Sequence, residues 1–183
     1  SNRAFAGILN LSVLQDVGNS PAQQQQMEQV VEQVLETIPE DATDVQKVKL
    51  VHDYLVKNTI YDYHNYLNQS VPKIAYTPYG ALVQRSAVWQ GYSEAFQILM
   101  EELGIPCKFL ASESMRHAWN MVQIDGEWYH VDVTWDDPVP DLGEYVSYEC
   151  FLLSDAAIQE EDRAHSGWAV KNDDRSTEEA PAP

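Results

Sequence analysis

Cysteine is scarce in this 183-residue chain: Cys107 and Cys150 are its only two, too few for a disulfide scaffold. Whether they pair depends on proximity in space, which the sequence leaves open. Long apolar runs are also missing. None approaches the ~18 consecutive residues that a helix needs to cross a bilayer, so no membrane insertion is expected. Basic residues are few, 11 Lys and Arg against 29 Asp and Glu, for a formal net charge of −18. Such a surface repels phosphate backbones and anionic headgroups, which argues against nucleic acid as a partner. Metal signatures are absent as well. There is no HExxH and no CxxC, and Asp132, Asp136 and Asp137 do not follow a calcium-loop spacing, so neither a metal nor a cofactor is expected.

What remains fits one ordinary domain. Hydrophobic residues make up 44% and charged residues 22%, which excludes a collagenous, coiled-coil or wholly disordered chain. A chain of this length buries roughly 70% of its unfolded surface, enough for a core without cross-links. Residues 1–19 show no clear period and read as an N-terminal extension, 20–160 as the domain, and 161–183 as a C-terminal extension or linker. The segment from Lys171 is polar and ends in Ala-Pro repeats, the composition of a linker or tail. Ser1-Asn2 with no initiator Met suggests a trimmed start. Together with the acidity and the tail, it leads to the expectation of an exported protein, secreted or displayed on a bacterial cell surface.

Helix signals come first along the chain. Ser20-Pro21 opens a stripe through Met27, Val30, Val31, Val34, Leu35 and Ile38, with Ser as N-cap and Pro at the first helical position. Thr43 with Gln46 makes a capping box for a second helix, whose expected buried face is Val45, Val48, Val51, Leu55 and Val56. Residues 57–79 read mostly as loop. Its tyrosines (Tyr61, Tyr63, Tyr66, Tyr76 and Tyr79) are expected to pack it onto the body. A third helix fits Trp89 or Gln90 through Leu103, stopped by Gly104 and Pro106. The period then changes to two, giving strands at Cys107–Ala111, His117–Ile124 and Glu127–Thr134, with a further one at Tyr148–Leu153.

Asp125-Gly126 between two alternating runs is a hairpin signal, and it fixes a register. Ile124 then faces Glu127 and Trp119 faces Asp132, so His117 and Asp132 are diagonal neighbours on one face. Their Cα atoms should lie roughly 7–8 Å apart, within reach of a side-chain hydrogen bond. A carboxylate that orients an imidazole prepares a general base. The diagonal alone leaves two readings open, such a base or two unrelated polar residues near a strand end, and His130 is a rival partner for the site. A base of this kind serves a nucleophile, and a helix start is a place that activates a thiol. The third helix starts with Trp89, which has none.

In order and spacing, several fragments resemble the transglutaminase-like superfamily of papain-type cysteine enzymes. They are Tyr79-Gly80-Ala81-Leu82, Ala87-Val88-Trp89-Gln90-Gly91-Tyr92, Leu103-Gly104-Ile105-Pro106, His117 through Val122 and, most densely, Trp128 through Asp136. The resemblance spans about 47–155. It implies an α+β fold, with helices packed against an antiparallel sheet and the nucleophile at a helix start. It also implies that His117 and Asp132 hold the base and orienting positions. The family's cysteine falls at Trp89, and a small residue of its approach loop falls at Arg85. Ser93, one turn along the helix, sits at the wrong depth to replace the thiol. The expectation is therefore a pseudoenzyme that uses its cleft to bind a peptide or a glycan through Trp89, Tyr92, Trp119, Trp135 and Arg85. The competing readings are an active hydrolase or acyltransferase with another nucleophile, and a structural domain of a larger exported protein. Oligomeric state is not legible.

Overall fold

Both long helices at the start of the chain form where their caps are written. In the computed structural model, described for residues 19–171 and 177–178, α1 spans Pro21–Glu36 and α2 spans Asp44–Asn58. Ser20 Oγ accepts from the Gln23 N–H, and the Gln23 side chain accepts from the Ser20 N–H. Thr43 and Gln46 make the same reciprocal pair. Each box satisfies N–H groups that a helix start otherwise leaves unpaired. Met27, Val31, Val34 and Leu35 of α1, and Val48, Val51, Leu55 and Val56 of α2, are buried together. Val45, expected on that face, is exposed, because the first turn of α2 runs past the packed part of the stripe.

The region read as loop carries short structure: β1 (Ile60–Tyr61), α3 (Tyr63–Leu67) and a 3-10 turn at Lys73–Tyr76. Only part of its tyrosine content packs inward. Tyr79 is buried and donates to Gln26, whereas Tyr63 and Tyr66, expected to pack, are exposed. A wide helical turn, Gly80–Gln84, leads to β2 (Ser86–Ala87), which pairs in parallel with β1. Then α4 runs from Trp89 to Glu102. Gly91 sits where two chain segments nearly touch. A Cβ there would lie 2.7 Å from the Ala75 carbonyl oxygen and 2.8 Å from that of Thr77, so no larger residue fits at that backbone crossing.

The sheet is antiparallel wherever its strands pair, in the order β6-β5-β4-β3-β7-β8. Its strands are β3 (Cys107–Ser112), β4 (His117–Ile124), β5 (Glu127–Val131), β6 (Phe151–Leu153), β7 (Trp168–Lys171) and β8 (Thr177–Glu178). Asp125 and Gly126 both have positive φ, 52° and 81°, as a two-residue hairpin turn of the primed type requires. Ile124 pairs with Glu127 and Asn120 with Val131, the register the turn predicts. The fifth strand, expected to reach Thr134, stops at Val131. Asp132 instead caps a short helix, α5 (Val133–Asp136). The segment from 161, expected as an extension, supplies β7, which pairs with β3. The expected N-terminal extension up to residue 18, and the expected linker or tail over 172–176 and 179–183, lie outside the described residues.

Alternation along β4 divides the interior into two parts. Val122 and Ile124 join the helices in the larger core, while Trp119 and Met121 join Leu110 and Val170 on the opposite face.

Candidate functional site

At the first position of β4, His117 places Nε2 2.6 Å from Oδ2 of Asp132. The diagonal pair legible in the hairpin is thus a direct hydrogen bond. Asp132 is fully buried and held from three sides. Its Oδ1 accepts from the Trp135 N–H at 3.0 Å, and its own N–H donates to the Cys150 carbonyl at 2.9 Å. Burial by itself would push this carboxyl upward. The charge of His117 and hydrogen bonds from His117 and His165 outweigh it and hold Asp132 far below the usual carboxylate range.

His165 is the member that sequence reasoning missed. Its Nε2 lies 2.6 Å from the same Oδ2 of Asp132, and its ring is fully buried. The ring is aimed by its other nitrogen, which donates to the Arg163 carbonyl at 2.9 Å, and the His165 N–H donates to the Ile158 carbonyl. A faint signal existed: the alternation of Trp168 and Val170 just after His165-Ser166-Gly167 is strand-like, although charged residues surround it.

His130, the rival partner, is locked elsewhere. It accepts from the indole N–H of Trp119 through Nδ1 (2.9 Å), so Nε2 carries the hydrogen and donates to Asp155 at 2.7 Å. Burial, the largest influence, pulls His130 below its ordinary value. A neutral ring with both nitrogens paired is a structural histidine.

Aromatic rings wall the site. His117 stacks on Trp119 with centroids 5.7 Å apart, and Trp135 lies 5.4 Å from His117 and 4.2 Å from His165. Trp135 is 45% exposed while Trp119 is 1% exposed. Trp119, expected as a binding residue, therefore cannot face a ligand, since its ring is enclosed and its N–H is spent on His130. Tyr92, also expected to bind, is fully buried, and its hydroxyl donates to Asp137. Arg85 is exposed at a left-handed position, φ 58°, after the wide turn.

The start of α4 comes close to this end of the sheet through Ser93. Its hydroxyl lies 2.8 Å from the Trp89 carbonyl and 3.1 Å from that of Ala118, the neighbour of His117. Val88, the cap residue, offers no side-chain acceptor, so the first N–H groups of α4 have no side-chain cap. Trp89 is half-buried with its ring edge-on to Tyr76, centroids 6.1 Å apart. Among the described residues, no ring contact joins Trp89 to His117. The Ser93 hydroxyl is committed to carbonyls and is not aimed at the imidazole. Both cysteines are free. Burial raises the Cys107 thiol well above its ordinary value and raises Cys150 strongly too.

A fourth imidazole braces the frame. His52 of α2 reaches Asp136 at 2.8 Å and Asp53 at 3.1 Å, and Asp136 also accepts from the Cys150 N–H. Burial works against charging His52, but the hydrogen bonds to Asp136 and Asp53 prevail and raise it. This bond ties α2 to α5, next to the capping Asp132.

The chain belongs to the transglutaminase-like superfamily, whose family profile matches residues 28–133, more than half of its length. Its α+β architecture, helices on an antiparallel sheet, is the family's fold. A crystal structure of a TGase superposes with a TM-score of 0.49 at 18% identity, covering 62% of this chain and 31% of the other. A putative cysteine protease from Cytophaga hutchinsonii gives 0.45 at 17% identity, covering 66% and 41%. The chain thus spans about a third and two fifths of those two proteins. No curated protein matches it.

Proposed function

We propose that this domain is a pseudoenzyme, with Trp89 standing where the family carries its nucleophilic cysteine and with the cleft beside His117 kept for recognition. The observation that carries the reading is the contrast between a His117–Asp132 bond of 2.6 Å and a helix start that offers it no nucleophile. An indole cannot attack a carbonyl, and nucleophile and base must meet within ~3.2 Å. The reading of an active enzyme with another nucleophile finds no support in Ser93, held by two carbonyls, or in two thiols whose burial disfavours the thiolate. The ligand class we propose is a peptide segment or a glycan, at a bacterial cell surface. Trp135 is its exposed aromatic platform, and an aromatic wall with a few polar groups suits either class.

The test is binding of the purified chain to peptide and glycan libraries, followed by titration of the best binder against Trp135→Ala. A platform tryptophan should contribute at least about 1.4 kcal/mol, a tenfold loss of affinity on truncation. No ligand at millimolar concentration, or full affinity in Trp135→Ala, refutes the recognition reading. A cysteine that alkylates unusually fast at neutral pH, by intact mass, together with an activity that dies with it, refutes the pseudoenzyme reading.

A further inference from the structure

We propose that His117, Asp132 and His165 form a binding site for a divalent transition metal of the zinc type. The inference goes beyond the recognition reading and does not depend on it, since the three side chains converge whatever stands at Trp89.

Nε2 of His117, Nε2 of His165 and a carboxylate oxygen of Asp132 all lie within 4.8 Å of one another, and all three residues are buried. The hydrogen bonds around them fix which atoms face the space between. The Arg163 carbonyl can only accept, so Nδ1 of His165 carries the hydrogen. In the neutral ring Nε2 then presents a lone pair. Yet that nitrogen lies 2.6 Å from Oδ2 of Asp132, which at ordinary pH also presents only lone pairs. Such a contact is filled either by a second ring hydrogen, in the charged imidazole, or by a cation bound to the neutral one. A second nitrogen, from His117, points at the same oxygen from 2.6 Å. In the metal-free protein a ring hydrogen from each imidazole can fill these contacts, and one cation that takes all three groups as ligands replaces both hydrogens.

The outer contacts are those of a ligand set. A metal-bound histidine donates its other N–H to a carbonyl or carboxylate, which fixes its tautomer, and a metal-bound carboxylate is hydrogen-bonded in turn. Arg163 O does the first for His165, and the Trp135 N–H does the second for Asp132. Trp119 and Trp135 supply the apolar shell, with ring centroids 4.7 Å and 4.2 Å from His165. Two imidazoles and a carboxylate suit zinc or its neighbours better than calcium or magnesium. A tetrahedral ion with bonds of about 2.0–2.2 Å sets its ligand atoms roughly 3.3–3.5 Å apart, so each ring need retreat less than ~1 Å. Three protein ligands leave a position for water or an oxygen of a bound ligand, as in open zinc sites. His117, 6% exposed beside the exposed Trp135, is the ligand nearest solvent.

The experiment is calorimetric titration of ZnCl2 into the chelator-dialysed full chain, repeated with CoCl2 and visible absorption. The expected result is one ion per chain and a Co²⁺ spectrum of low coordination number. His165→Ala should weaken binding by more than the roughly 10–100-fold that loss of an outer partner costs. His117→Ala should do the same, and His64→Ala, at an exposed histidine away from the site, should match wild type. Circular dichroism checks folding. If His165→Ala unfolds, His165→Gln and His117→Gln carry the same comparison. A wild type that binds no ion, or whose binding survives the His117 and His165 replacements because surface carboxylates account for it, overturns the proposal.

Discussion

Replacing Asp137 by Asn should stabilise this protein at neutral and alkaline pH, although the residue is buried and hydrogen-bonded. Asp137 is buried, with its Oδ2 taking the Tyr92 hydroxyl. Burial, reinforced by the charge of Asp141 and opposed by Tyr92 and His52, raises its carboxyl from the ordinary 3.8 to about 7. The folded state therefore holds a proton that the unfolded chain has already released above about pH 4. The native state binds more protons across that interval, so stability falls as pH rises from about 4 to 7. At about 1.4 kcal/mol per pH unit, the whole interval amounts to roughly 4 kcal/mol, a large part of an ordinary domain's stability. Asn keeps an oxygen for Tyr92 and has nothing to ionise. Urea denaturation of wild type and Asp137→Asn at intervals from pH 4 to 8 should give similar midpoints at the acid end. The variant should pull ahead by roughly 4 kcal/mol at the alkaline end. A gap that stays constant with pH, or a variant destabilised by more than about 1 kcal/mol at pH 8, would refute the reasoning.

Two further substitutions test the frame. Gly91→Ala should cost about 1–3 kcal/mol or more in urea unfolding, because its Cβ would meet two backbone oxygens that cannot move aside; a loss under about 0.5 kcal/mol would show that the crossing is loose. Asp132→Asn, in chelator-treated protein at pH 7, should cost about 3–5 kcal/mol, since it removes the carboxylate shared by His117 and His165. A change below about 1 kcal/mol would mean that this cluster contributes little to holding the sheet end together.

The parts legible in the sequence are those set by local chemistry. Ser20 and Thr43 mark the two helix starts because capping is decided within four residues. Asp125-Gly126 gives the hairpin, and through it the His117–Asp132 pair, because a two-residue turn leaves one register. What stayed hidden depends on distant chain. His165 reaches Asp132 across 33 positions, and the brief alternation of Trp168 and Val170 after it marks a strand but not that partner. Asp132 looked like one more strand residue, but its side chain caps α5 and ends the ladder, a competition between side chain and backbone that alternation does not register. Tyr92 and Trp119 were credible ligand contacts by position, yet Asp137 and His130 claim their polar ends and the core takes their rings.

The account rests most heavily on position 89, so the most direct measurement is the titration of a thiol placed there. In a background with Cys107 and Cys150 replaced by Ser, and with chelator present, Trp89→Cys is alkylated over a range of pH and followed by intact mass. With the start of α4 lacking a side-chain cap and His117 held by Asp132 at 2.6 Å, the new thiol should ionise well below the ~8.5 of a free cysteine. A thiol that titrates at or above ~8.5 would contradict the claim that Trp89 occupies the seat of the missing nucleophile.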